Sequence, residues 1–262
     1  MSITTVEEHL IHYEVLGRGQ PLIFIHGWLG SWRYWWPSMQ ELARGHRTFA
    51  FDLWGYGNSS KVQSKYSFES YVSMVGQLMD KLGIMQPVIL VGHSLGAAVA
   101  LRFATTHPDR VKRIAGVSMP VHGTQIHSRL ANSDTSVFIN RVLGKGNSFN
   151  EIDSEIPKSD RAAVNVLAKQ LRDFSFVDDL QKCTCPIMLI AGSQDPVIQT
   201  SNGEIESLVQ GQNRYYVTLE GGSHFPMLQE PAKFNRLLLD FIHSDGDQTK
   251  ITPKVLWQRR NR

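Results

Sequence analysis

The sequence predicts an α/β fold, a mainly parallel sheet with helices on both faces. Two observations carry the prediction. Short apolar runs rich in β-branched residues alternate with longer segments whose apolar residues recur at helical spacing. Several of the short runs end in glycine-bearing turns, where an open parallel sheet gathers its functional loops. At 262 residues the chain can bury a full core, as one large domain with or without an insertion.

His9 to Leu16 reads as the first strand and stops at Gly17-Arg18-Gly19. Leu22 to Ile25 is a short buried strand that runs into His26-Gly27. Trp35 to Leu42 reads as a helix and Arg47 to Phe51 as a strand. Phe68, Tyr71, Val72, Val75, Leu78, Met79 and Leu82 share one helical face. Val88 to Val91 is a strand, Leu95 to Thr106 an Ala-rich helix halted by Pro108, and Val111 to Val117 the next strand. Ile187 to Ala191 and Tyr215 to Leu219 are strands, and Ala232 to Ile242 closes the pattern as a helix. Residues 121–182 break the rhythm. They are polar, with helices expected near 135–143 and 159–174, and they are too long for a simple connection. The expected domains are an α/β core over 1–120 and 183–243, a helical cap over 121–182 and a basic tail over 244–262.

Hydrophobic residues make up 42% of the chain and charged residues 19%, an ordinary globular balance. The N-terminus lacks a basic start followed by an apolar stretch, so no signal peptide is expected. No apolar run approaches the length of a membrane span. The two cysteines sit in Cys183-Thr184-Cys185 and read as reduced residues rather than a disulfide or a zinc site. The cytoplasm is therefore the expected compartment. Five basic and two acidic residues in 244–262 account for the whole net charge of +3. The balanced body argues against nucleic acid as a partner. The tail reads as a solvated terminus, with docking to an anionic surface as the other reading. Nothing in the sequence fixes an oligomeric state.

The densest chemical signal is Gly92-His93-Ser94-Leu95-Gly96, a G-x-S-x-G between an apolar strand and a helix. A serine on so sharp a turn needs small neighbours where the backbones crowd, and Gly92 and Gly96 supply them. Ser94 then stands at the positive end of a helix, a suitable place for a nucleophile. Two further strand ends carry partners. Asp195 is the first carboxylate after Ile187 to Ala191, and His224 lies in Gly221-Gly222-Ser223-His224 after Tyr215 to Leu219. The chemistry needs all three: the imidazole takes the serine proton, and the carboxylate fixes its tautomer and its developing charge. Asp52 is the rival acid, though turn formation is its simpler role. An oxyanion needs two converging N–H donors. The amide of Leu95 is one, and Trp28, after His26-Gly27, is the best second candidate. His26 reads as support for that loop.

Together these residues resemble the α/β-hydrolase superfamily over roughly Leu10 to Ile242. The motifs are His26-Gly27-Trp28, Asp52-x-x-Gly-x-Gly-x-Ser, Gly92-His-Ser-Leu-Gly96, Gly192-Ser-Gln-Asp195 and Gly222-Ser-His224. Within the superfamily the chain is similar to small, cofactor-free, capped serine esterases, and also to perhydrolases and C–C bond hydrolases. The resemblance implies the α/β-hydrolase fold, with an eight-stranded, mostly parallel sheet and a helical cap after the sixth strand. It also implies Ser94 as nucleophile, Asp195 as acid and His224 as base. A serine at the elbow argues against the aspartate-nucleophile dehalogenases and epoxide hydrolases. Ala97 departs from the glycine that many relatives carry.

The expected reaction is hydrolysis of a small-molecule carboxylic ester through an acyl-serine. No phosphate loop or metal-ligand pair is visible, so neither cofactor nor metal is expected. A C–C hydrolase, a perhydrolase or a ligand receptor with vestigial hydrolysis are the other readings. Trp28, Trp32, Tyr34, Trp35 and Trp36 crowd the loop beside the proposed oxyanion hole. They either pack the helix against the sheet or form an aromatic pocket wall favouring an apolar group. On the second reading Trp35 and Phe138 line the pocket, with Val137, Phe174 and Phe176 completing it.

Overall fold

The computed structural model describes residues 2–28, 30–128, 130, 149–198, 202–209, 211, 213–244 and 251. Eight strands form one sheet in the order β1-β2-β4-β3-β5-β6-β7-β8. They are β1 Ser2–Val6, β2 His9–Leu16, β3 Gln20–Ile25, β4 His46–Phe51, β5 Val88–His93, β6 Val111–Val117, β7 Ile187–Gly192 and β8 Arg214–Leu219. The pairs β1–β2 and β2–β4 are antiparallel and all others parallel.

Burial explains the strand patterns. Every residue of β5 and β7 is buried, as central parallel strands covered on both faces require. β1 lies at the edge and alternates, with Ile3 exposed. This strand is absent from the sequence reading because its apolar content is too thin to register.

The described helices are α1 Trp36–Leu42, α2 Phe68–Lys81, α3 Leu95–Thr106, α4 Asn150–Asp153, α5 Arg161–Leu171, α6 Val177–Lys182, α7 Asn202–Leu208, α8 Pro226–Gln229 and α9 Pro231–Ile242. A short 3₁₀ turn, Trp32–Trp35, precedes α1. Ser67 caps α2 by accepting the Ser70 N–H, and the expected stripe from Phe68 to Met79 is the buried face. α3 packs against β5, β6 and α2, while α1 packs against α9. No helix among the described residues is long and apolar enough to cross a membrane.

Between β6 and β7 the described residues contain α4, α5 and α6, and no strand. The two ends of this segment pair with each other: Phe176 N–H donates to Val121 O (2.8 Å) and Gly123 N–H to Phe174 O (2.8 Å). Its interior is tied to the loops after β3 and β4. Glu155, wholly buried, accepts from Arg33 Nε (2.9 Å) and Lys158 Nζ (2.8 Å). Tyr66 donates to Asp160 (2.7 Å), which caps α5 through the Ala162 N–H. The expected helix over 159–174 is α5, shorter at both ends. The expected helix over 135–143 lies outside the described residues, as do most of residues 244–262.

Sheet register places the site. Ile25 pairs with Gly92, His93 with Val117, Val117 with Ile190, and Gly192 with Leu219. The carboxyl ends of β3, β5, β6, β7 and β8 therefore stand side by side, and their loops share one rim.

Candidate active site

Ser94 occupies the turn between β5 and α3 with φ 53° and ψ −116°. A non-glycine residue there carries strain of about 1–3 kcal/mol, which the surrounding structure must sustain. The crowding is explicit: a Cβ on Gly92 would come 2.5 Å from Ala97 Cα, and one on Gly96 would come 2.5 Å from His26 O. The Ser94 N–H donates to Val117 O (2.8 Å), which ties the elbow to β6. Ser94 Oγ is buried and makes no hydrogen bond within the protein. The hydroxyls of Ser38, Tyr56, Tyr215 and Ser223 are likewise buried without a protein partner; Ser94 differs from them in standing on a strained turn at a strand end.

Asp195 and His224 are joined. His224 Nδ1 lies 2.9 and 3.0 Å from the two carboxylate oxygens of Asp195, and each side chain is 3% exposed. Asp195 Oδ1 also accepts the N–H groups of Val197 (2.8 Å) and Ile198 (3.0 Å). Burial alone would raise the Asp195 carboxyl. The His224 imidazole and those two N–H groups outweigh it and hold the group below the usual carboxylate range. An ionised Asp195 accepts the Nδ1 proton of His224 and leaves Nε2 as the basic nitrogen. The loops after β7 and β8 are also stitched directly: Gln194 N–H donates to Gly222 O (2.9 Å) and Gly221 N–H to Ser193 Oγ (2.9 Å).

Asp52 serves elsewhere. It accepts from His12 Nδ1 (3.0 Å) and from the N–H groups of Trp32 (2.9 Å) and Asn58 (2.9 Å), so it organises the turn after β4. His26 is internal support. Leu53 N–H donates to its Nε2 (2.9 Å), so Nδ1 carries the proton that reaches Gly27 O (2.8 Å). Burial holds its pKa below the ordinary histidine value.

Leu95 opens α3, and its N–H is one of the four with no acceptor inside the helix. Gly27 backs directly onto the elbow: a Cβ there would lie 2.8 Å from Ser94 Cβ. Trp28 follows Gly27 and is buried.

The aromatic cluster divides. Trp35 is wholly buried, 4.9 Å from the Phe24 ring on β3 and 6.2 Å from Phe234 on α9. This corrects the expectation that Trp35 lines the pocket: it packs α1 between the sheet and α9. Phe174 and Phe176 are corrected likewise. Each lies 5.5 Å from Phe68, anchoring the segment before β7 to α2. Phe138 and Val137 lie outside the described residues. Trp32, itself buried, and half-buried Trp36 line a cavity of about 520 Å³ with Arg33, Pro37, Asn150 and Glu151.

Four residues near the site escape the sequence reading: Tyr34 as a polar group, His93, Phe149 and Phe225. Phe225 meets the His224 ring at 5.0 Å, and Phe149 meets Phe225 at 6.4 Å. Only the adjacency of His93 to Ser94 offered a signal. Among the described residues no group of three or more His, Cys, Asp or Glu side chains is placed to hold a metal ion.

The comparisons agree with this architecture. A family model described as the alpha/beta hydrolase fold matches residues 20–140. The (E)-2-((N-methylformamido)methylene)succinate hydrolase of Acinetobacter baylyi is 25% identical over 250 residues, covering 89% of this chain and 94% of its own. The 2-hydroxymuconate semialdehyde hydrolase of a Pseudomonas strain is 38% identical over 114 residues, 40% of each chain. An enol-lactonase from Burkholderia xenovorans superimposes with a TM-score of 0.79 at 18% identity, covering 92% of this chain and 99% of its own. The chain has the α/β-hydrolase fold. The family match and the structural likeness both support a relation to the α/β-hydrolase superfamily.

Proposed function

We infer that this chain is a serine hydrolase acting on a small or medium apolar carboxylic ester, with residues 121–182 as the cap over its site. The observation that supports this best is the joined Asp195–His224 pair on the loops after β7 and β8, which share a rim with the strained elbow of Ser94. In this mechanism Ser94 Oγ attacks the ester carbonyl carbon while His224 Nε2 takes its proton. The tetrahedral oxyanion is received by the N–H groups of Leu95 and Trp28. Asp195 balances the imidazolium through Nδ1–H. Collapse breaks the acyl–oxygen bond, and the alcohol leaves with the proton from His224. Water, deprotonated by His224, then attacks the acyl-serine and releases the acid and free Ser94. Phe149 and Phe225 supply apolar surface next to the base, consistent with an apolar acyl or alcohol group.

The likeness to the 2-hydroxymuconate semialdehyde hydrolase favours one second reading, cleavage of a C–C bond beside a carbonyl with the same triad. A p-nitrophenyl ester panel of graded acyl length, run on wild type and Ser94→Ala, tests the first reading. Turnover that peaks at a short or medium acyl chain and vanishes in Ser94→Ala supports it. Equal turnover in both proteins removes Ser94 as the nucleophile. Negligible ester turnover with rapid cleavage of a vinylogous diketone selects the second reading.

A further inference from the structure

A line of buried hydrogen bonds runs through the three loops that carry the candidate site. His93 Nε2 lies 2.8 Å from the backbone carbonyl of His224. A carbonyl only accepts, so Nε2 bears the proton. The His93 ring is wholly buried, and burial, followed by the neighbouring His224, pushes its pKa well below the ordinary histidine value. The neutral ring therefore has a bare Nδ1. Tyr34 Oη lies 3.0 Å from that atom and so donates to it. The same hydroxyl oxygen accepts the Gly27 N–H at 2.7 Å. Every donor meets an acceptor, in one direction, from Gly27 through Tyr34 and His93 to His224.

What the line connects gives it meaning. Gly27 precedes Trp28 and abuts Ser94, His93 is the residue before Ser94, and His224 carries the base. The rings are packed as tightly as they are bonded: His93 lies 4.6 Å from the His224 ring, and Tyr34 lies 5.4 Å from His93, edge on. Neither Tyr34 nor His93 has a part in proton transfer to substrate.

Resting on the hydrolase reading above, we propose that Tyr34 and His93 are positioning residues: they lock the His224 loop and the Gly27–Trp28 turn at fixed offsets from Ser94. The base and one oxyanion donor then hold their places relative to the nucleophile without touching it. A displacement of the order of 1 Å in such groups costs roughly a hundredfold in rate. Removing the Tyr34 hydroxyl breaks two bonds at the far end of the line. Removing His93 breaks the bond to the base loop itself.

The test uses Tyr34→Phe, His93→Leu, His93→Gln and the double variant Tyr34→Phe/His93→Leu. Three quantities are read on each: kcat and KM for the best p-nitrophenyl ester, the rate at which an alkyl fluorophosphonate labels Ser94, and Tm. All rates are taken well below Tm and normalised to folded protein by near-ultraviolet circular dichroism. The expected result is a kcat loss of roughly tenfold in Tyr34→Phe and a hundredfold in His93→Leu, with KM within about twofold. His93→Gln, whose amide can still donate to the His224 carbonyl, recovers much of the loss. The double variant is no slower than His93→Leu, because both act through one line. Labelling rates fall in step with kcat.

Folded Tyr34→Phe and His93→Leu with wild-type kcat and labelling rates, whatever their Tm, overturn the proposal. So does a double variant whose losses simply multiply. If wild type itself neither turns over esters nor takes the label at Ser94, the hydrolase reading falls, and this role with it. If wild type does both and the variants are unchanged, only the positioning role falls.

Discussion

Asp195→Asn alters one atom of the side chain and inverts what that atom offers His224. In the native structure Oδ1 accepts the N–H groups of Val197 (2.8 Å) and Ile198 (3.0 Å) and lies 3.0 Å from His224 Nδ1, while Oδ2 has Nδ1 alone, at 2.9 Å. An asparagine that keeps both backbone bonds with its oxygen puts its amide nitrogen in the Oδ2 place, against Nδ1. An amide nitrogen donates. His224 then holds its proton on Nε2, the atom that the proposed mechanism needs free to take the Ser94 proton. The expected loss is about 10³- to 10⁴-fold in kcat, which is roughly 4–5.5 kcal/mol of transition-state stabilisation. Stability changes by only about 1 kcal/mol, because the loop's own bonds survive. The assay is ester turnover beside a urea melt, with Asp52→Asn in parallel. Asp52 accepts from His12, Trp32 and Asn58, so that variant loses stability, about 1–3 kcal/mol, while folded protein keeps activity within tenfold. Folded Asp195→Asn with near-wild-type kcat would refute the argument, and collapse in folded Asp52→Asn alone would name the other acid.

Other outcomes follow from the same geometry. Ser94→Gly should be more stable than Ser94→Ala by about 1–3 kcal/mol in urea melts, because only glycine relieves a φ of 53° with ψ of −116°. Stability should fall with acid. His26 and His93 are buried with pKa values held below 6.5, so below that pH the unfolded chain binds protons that the folded chain refuses. Each contributes a slope of up to about 1.4 kcal/mol per pH unit below the unfolded pKa and none well above it, readable from urea midpoints between about pH 8 and 5. Glu155→Gln keeps the shape of a buried carboxylate but removes the counter-charge of Arg33 and Lys158. It should cost about 1–2 kcal/mol, at the low end because Arg33 is partly exposed and can rehydrate, measured as a lowered urea midpoint.

Most of the sheet is legible in the sequence because central parallel strands are continuously apolar. Val111–Val117 and His9–Leu16 are bounded as expected, and Leu95–Thr106 is ended by the residues before Pro108. Elements that bury little are not legible. β1 alternates at an edge, and α6, α7 and α8 are only a turn or two long, too short for a period to show. Ser94, Asp195 and His224 are legible one at a time, since each lies in the loop past a strand, wholly buried for Ser94 and Asp195 and half-buried for His224. Their pairing is a tertiary fact: only the structure shows His224 on Asp195 and Asp52 on His12. The aromatic loop was ambiguous for a physical reason. Trp32 and Trp35 lie three residues apart on a tight turn, yet one faces a cavity and the other the core. The line from Tyr34 to His93 spans 59 residues of sequence and leaves no local trace.

The central claim is that Ser94 Oγ is the nucleophile, activated by His224. The most direct measurement is intact-mass and peptide mapping after brief exposure to an alkyl fluorophosphonate, on wild type and His224→Ala. The account predicts one adduct per chain, on the peptide carrying Ser94, matched by loss of ester turnover and much slowed in His224→Ala. A stoichiometric adduct on another residue, or turnover that persists with Ser94 fully modified, would contradict it.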